Sequence, residues 1–233
     1  MSNEKREKQK QRKEAKQKAA DQKAQFRKAA SRVGLFVVAP VLALFVLYVV
    51  LSQGQVYSPV EVAPNDHIRG EPQAPVSIVV YADFQCPACA TENQTMARIL
   101  PSISDSAHLI FRHYPITSTH PHSWTASLYA EAAGKQGMFW EMHDYLFAAQ
   151  PNWAVLSEVE EEFETYAAQL GLDIDQLRRD IEDEEVIQKV RNDQRGGTAA
   201  GVRSTPTMFI NGRIVGNPSA QRIRQLVSEA AGG

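Results

Sequence analysis

The chain has 233 residues, enough for one domain of roughly 150 to 170 residues and an accessory segment. Its two cysteines are too few for a disulfide-stapled scaffold. The net charge of -2 hides an asymmetry: residues 1–32 carry twelve Lys or Arg against four Asp or Glu, while the remainder carries thirteen against twenty-three, an acidic balance that argues against a nucleic-acid partner for the main domain.

The basic stretch 1–32 is rich in Lys, Gln, Ala and Glu and nearly free of apolar residues, so it reads as a solvated cytoplasmic tail. Val33–Leu51 follows, nineteen residues without a charge, a length that suits a single transmembrane helix. Pro40 is tolerable in such a helix. A cleaved signal peptide is the rival reading. The long basic preface, the length of the apolar run and the lack of a small-x-small site after it favour an uncleaved anchor. The basic cluster would hold the N-terminus in the cytoplasm and export everything after Ser52, placing the domain on the periplasmic or extracellular side. Residues 52–75, with four prolines and two glycines, read as a linker.

The domain proper, 76–233, opens with VSIVVYADF, Val76 to Phe84, a nearly continuous apolar run of the kind buried on both faces of a sheet. The two cysteines, Cys86 and Cys89, come next, and ATENQTMARIL reads as a helix with Met96, Ile99 and Leu100 on one side. Ala107 to Ile116 reads as a second strand. From about His122 to Arg195 the pattern is helical, broken at Gly134–Gly137, at Gln150–Asn152, and at Gly171 with Asp173 as a cap. TMFI and RIV flank Asn211-Gly212, a strong hairpin signal. Pro218 to Ala230 closes the chain as a helix with Ile223, Leu226 and Val227 on its apolar face. This order predicts an α/β fold, a mixed sheet flanked by helices.

Cys86 ends a buried strand and begins a helix, with Pro87 at the first helical position, where a missing N–H costs nothing, and Ala88 next. Free backbone N–H groups and the positive helix end should stabilise a thiolate there. Cys89 lies one turn further in, spaced to close a small disulfide ring and to resolve a mixed disulfide made at Cys86. A structural disulfide would close too short a loop to stabilise much. A metal site would need two further ligands, and His120 and His122 form only a lone H-x-H pair. Thr205-Pro206 precedes the strand TMFI; a cis bond there would bring the backbone of Thr205 beside Cys86, where it can position an extended substrate. Asp83 reads as the end of the strand, and Trp124 and Trp153 as core packing ahead of a peptide-binding surface. His113 reads as an interior or edge histidine.

DFQCPAC, with STPTMFING about 120 residues on, and HYPITSTHPHSW followed by EAAGKQGMFWEMHDYLF, resembles the DsbA-like branch of the thioredoxin superfamily from about Gly70 to Ala230. The resemblance implies a thioredoxin fold with a helical insertion at about 120–195 and a cis Pro206 beside the cysteines. It implies thiol–disulfide oxidoreductase activity without a cofactor, with Cys86 as nucleophile and Cys89 as resolving cysteine. The partners it implies are unfolded exported proteins with free thiols and a quinone-linked membrane protein for recycling. Two departures stand out: Val80 occupies the position where many thioredoxin-like proteins keep a buried acid, and Ala88 stands where strongly oxidising members often have histidine. An oxidase is the favoured direction; a reductase or isomerase using the same pair, and a non-catalytic peptide-binding module, are the alternatives.

Overall fold

A computed structural model describes residues 16–18, 22–23, 38–52 and 57–232. The chain divides into two units, Met1–Gly54 and Gln55–Gly233. The first contains helix α1, Ala39–Ser52. Its fourteen residues reach about 21 Å, short of a hydrocarbon core of about 30 Å. Among the described residues no helix is long and apolar enough to cross a membrane. Val33–Val37 of the expected span, and most of the basic tail, lie outside the described residues.

The second unit is built on a five-stranded sheet in the order β1-β3-β2-β4-β5. The strands are β1 His67–Arg69, β2 Val76–Ala82, β3 Ala107–His113, β4 Thr207–Ile210 and β5 Arg213–Gly216. β2 and β3 are parallel and in register from Val76 opposite Ala107 to Ala82 opposite His113. The other pairings, β1 to β3, β2 to β4 and β4 to β5, are antiparallel. Alternation along β2 divides the core in two. Val76, Ile78, Val80 and Ala82 join the larger cluster, whereas Val79 and Tyr81 pack on the opposite face with Ile110, Val202 and Phe209. The run is therefore apolar without a break because both faces of the strand are covered.

Nine further elements surround the sheet. α2, Pro87–Ile99, leads from β2 and is followed by a 3₁₀ turn at Leu100–Ser102. Between β3 and β4 lie α3 Ser123–Lys135, α4 Phe139–Ala148, α5 Gln150–Trp153, α6 Glu160–Gln169, α7 Ile174–Asp180 and α8 Glu184–Ala199. α9, Ala220–Ala231, closes the unit. The glycine breaks fall where the backbone turns left-handed, at Gly137 (φ 77°) and Gly171 (φ 78°), a conformation glycine adopts without a Cβ clash. Asp173 caps α7 by accepting from the Gln176 N–H at 2.9 Å. At the hairpin, Asn211 (φ 44°) and Gly212 (φ 75°) both take the positive φ that a two-residue turn matching the strand twist requires.

The stretch 52–75 holds more than a linker. β1 lies within it and pairs with β3 from His67 opposite Phe111 to Arg69 opposite Leu109. Charge holds this segment in place. Arg112 is buried on β3 and donates to both carboxylate oxygens of Asp66, at 3.2 and 2.8 Å, and to three backbone carbonyls of residues 57–61. Lys189 on α8 reaches Asp193 at 2.7 Å and Asp66 at 3.5 Å. Glu131 on α3 sits between His67 at 3.0 Å and His113 at 2.7 Å. Each buried charged side chain in this layer has a hydrogen-bonding or ion-pair partner, which offsets its desolvation.

Candidate active site

β2 ends at Ala82, and Asp83, Phe84 and Gln85 carry the chain to Cys86, the N-cap of α2, with extended backbone (φ -78°, ψ 119°) and Pro87 inside the first turn. Both thiols are free. Cys86 is 8% exposed and Cys89 wholly buried, so an incoming sulfur meets Cys86 first.

The two thiols are driven apart electrostatically. Cys86 is pulled down to about 5, chiefly because the Cys89 S–H donates to its thiolate; burial opposes this, and Thr205 and the N–H groups of Cys89 and Ala88 lower it further. The Thr205 hydroxyl is buried with no partner besides the two sulfurs. Cys89 moves the other way: burial pushes it far up, and its hydrogen bond to Cys86 adds to that. One sulfur is thus a thiolate at neutral pH and the other a thiol.

Thr205 and Pro206 complete the site. The Thr205–Pro206 peptide bond is cis, and the Cys86 thiol lies 3.6 Å from the Thr205 carbonyl oxygen. The β4 strand begins directly after, at Thr207. Cys86, Cys89, Pro87, Ala88, Thr205 and Pro206 are therefore brought together, although about 120 residues separate the two segments.

Five polar residues frame this centre in roles that the sequence pattern does not assign. Asp83 does more than end a strand: it is fully buried. Its carboxylate accepts from the N–H groups of Gln85 and Ile116, both at 2.8 Å, and from His120 Nδ1 at 2.9 Å. Its own N–H donates to the Cys89 sulfur at 3.4 Å. Gln150 reaches from α5 to donate to the carbonyls of Phe84 at 2.6 Å and Cys86 at 3.0 Å. Gln85 donates to Ala154 O at 3.0 Å and accepts from the His122 N–H at 2.7 Å. His120 and His122 thus serve the loop around the cysteines, and the helical insertion braces that loop. Trp153 is core, its indole N–H donating to Leu146 O at 2.8 Å. Trp124 is only half-buried, with Arg191 over its ring at 5.9 Å. His113 is an interior residue held by Glu131.

A mixed sheet, a Cys-x-x-Cys pair at a helix N-terminus, a proline strand start facing it and six helices inserted between β3 and β4 define a DsbA-type thioredoxin fold. A family model described as Thioredoxin matches residues 62–229, and the chain belongs to that family. Among solved structures the chain is similar to a thioredoxin-like oxidoreductase from Silicibacter pomeroyi DSS-3, at 25% identity and a TM-score of 0.64, covering 73% of this chain and 95% of that one. BdbD from Bacillus subtilis matches at 20% identity and 0.66, over 77% and 100%. Alpha-DsbA1 from Wolbachia pipientis matches at 22% and 0.64, over 73% and 93%. Among curated relatives it is 37% identical over 164 residues to Na(+)/H(+) antiporter NhaA 1 of Salinispora arenicola, covering 70% of this chain and 24% of the antiporter. The chain thus spans about a quarter of the length of the curated relatives it matches.

Proposed function

We propose that this protein is a membrane-anchored, extracytoplasmic thiol–disulfide oxidoreductase working as an oxidase through Cys86 and Cys89. The observation that carries the reading is the split between the two thiols, Cys86 held down to about 5 and Cys89 driven up. A substrate thiolate attacks Cys86 in the Cys86–Cys89 disulfide; that S–S bond breaks, and Cys89 leaves and takes up a proton. A second substrate thiolate attacks the substrate sulfur of the mixed disulfide, and Cys86 leaves as a thiolate. The substrate has lost two electrons and gained a disulfide, and the pair is reduced. A leaving group with a low pKa favours this last step, and stabilising the reduced form favours this direction. Thr205 and Pro206 position the extended substrate. A membrane redox partner, quinone-linked, takes the two electrons and restores the disulfide. The oxidoreductase named among the structural relatives supports the activity class.

The uncharged run Val33–Leu51 and the basic residues before it support the anchor and its orientation, with the N-terminus cytoplasmic. Alkaline extraction of membranes tests this part, with retention of the full chain in the pellet expected.

Two measurements test the chemistry. A Cys89→Ser variant should accumulate mixed disulfides between Cys86 and disulfide-containing exported proteins, the Cys86 thiolate bonding to one substrate sulfur and expelling the other; a peptide-binding module would form none. A reduction potential near about -120 mV fits an oxidase, whereas one near about -270 mV would make the protein a reductase.

A further inference from the structure

The inward stripe of α2 runs Cys89, Glu92, Met96, Ile99. Three of these are apolar and one is a carboxylic acid. Glu92 is 8% exposed, and its Oε1 is buried with no hydrogen-bond partner. Burial alone pushes this carboxyl up to about 8. A carboxyl kept out of water without a partner is costly, so its retention in an otherwise apolar stripe calls for a ligand-side explanation.

Glu92 lines a cavity of about 200 Å³ together with Ala88, Thr91, Thr95, Asn217 and Pro218. Among the described residues none that lines it is cationic, Arg98 reaching only the Thr95 hydroxyl. The two hydroxyls are oriented by their own helix: Thr91 donates to Pro87 O at 3.1 Å and Thr95 to Thr91 O at 3.0 Å. Their protons are spent inward, and the Thr95 oxygen already accepts from Arg98 at 3.2 Å, so the lone pairs left to a ligand are mainly those of Thr91. The Glu92 carboxyl and the Thr91 oxygen are thus the acceptors open to a ligand, with Asn217 also in the lining. Its volume is below the roughly 300–1,000 Å³ of ordinary small-molecule pockets and suits a single side chain. Ala88, between the two cysteines, forms one wall, so the slot abuts the reacting centre.

We infer that the slot beside Ala88, with Glu92 at its base, receives the lysine or arginine side chain of a polypeptide whose cysteine reacts at Cys86. This rests on the oxidoreductase reading and adds a preference to it: cysteines flanked by a cationic residue react first. The ammonium or guanidinium supplies the donors that Glu92 lacks, and the aliphatic stem lies along Ala88 and Pro218. Ala88 matters by its size, since a larger residue there would narrow the entrance.

Pentapeptides with one cysteine, and a lysine one or two residues to either side of it, test this against counterparts carrying norleucine. The rate at which each reduces the Cys86–Cys89 disulfide is read by acid quench and mass spectrometry. At one or more positions lysine should exceed norleucine by about tenfold, as a charge-assisted hydrogen bond allows. In Glu92→Met and Glu92→Gln that ratio should fall to about one. A ratio of one at every position in the unaltered protein, or a ratio that survives in Glu92→Met, overturns the inference. The same peptides with serine for cysteine separate this from the redox reading. Followed by amide NMR shifts, the lysine peptides should perturb Ala88 and Thr91–Thr95 in the unaltered protein and not in Glu92→Met. Shifts with no thiol reaction would sustain the slot and remove the oxidoreductase; no shifts would remove the slot.

Discussion

Replacing Cys89 by Ala removes the largest influence on the Cys86 thiolate, the S–H that donates to it. A hydrogen bond to a charged group contributes about 1.5–3 kcal/mol, and one pH unit corresponds to about 1.36 kcal/mol. The loss of this donor should therefore raise Cys86 by one to two units, from about 5 to about 6–7. The remaining lowering influences, Thr205 and the N–H groups of Ala88 and Cys89, survive the substitution, so the thiol should stay below its ordinary value. The assay is the pH dependence of alkylation by iodoacetamide, whose rate follows the thiolate fraction. Cys89→Ser keeps a donor at the same place and should fall between the two. A midpoint that does not move in Cys89→Ala would refute the role given to the inner thiol. A midpoint near the ordinary thiol value of about 8.5 in the unaltered protein would refute the electrostatic account altogether.

Glu92 makes a separate prediction about folding. Its carboxyl is raised to about 8 in the folded state, so the fold binds the extra proton, and stability present below the ordinary carboxyl value is lost as pH rises toward 8. The loss amounts to about 3 kcal/mol by pH 7, and Glu92→Gln should abolish it; urea unfolding at pH 5 and pH 7 checks this, and a difference between the two proteins that is flat with pH would count against it. Asp83→Ala leaves the Gln85 and Ile116 N–H groups and His120 without their acceptor, and should cost about 2–5 kcal/mol in the same assay. A cost under about 1 kcal/mol would mean that water replaces the carboxylate.

The parts of this fold that were legible in the sequence are those whose causes are local. β2 announces itself by an unbroken apolar run, the hairpin by Asn211-Gly212, and α7 by its cap at Asp173, because each signal lies within a few residues of its effect. β1 carries no such signal. Its three residues are all half-buried, show no alternation, and become a strand only because β3 offers an edge. The frame of the active site was hidden for the same reason. Asp83 finds its partners 33 and 37 residues away, and Gln150 finds its acceptors 64 and 66 residues away. Glu92 is the intermediate case. Its spacing from Cys89, Met96 and Ile99 places it on the buried stripe, so a charge at an apolar position was visible once that stripe was drawn through Cys89.

The proposed oxidase direction depends on how much of the thiol split acts at working pH. A thiolate held at about 5 stabilises the reduced fold only above that pH, so at pH 7 about two pH units are effective, on the order of 2.7 kcal/mol. Cys89, driven upward, adds nothing at pH 7, because it is protonated in both folded and unfolded reduced chains. A thioredoxin pair with its outer thiol near 7 gains almost none of this, and the difference, somewhat under two decades in the equilibrium constant, corresponds to about 50 mV toward oxidising. Cys86 alone therefore moves the pair away from a reductase but not the full distance to about -120 mV. With alanine at position 88 there is no histidine beside the thiolate to supply the remainder. For the oxidase proposed above, the remainder has to come from a less stable disulfide state, and a measured potential near about -220 mV would show that it does not.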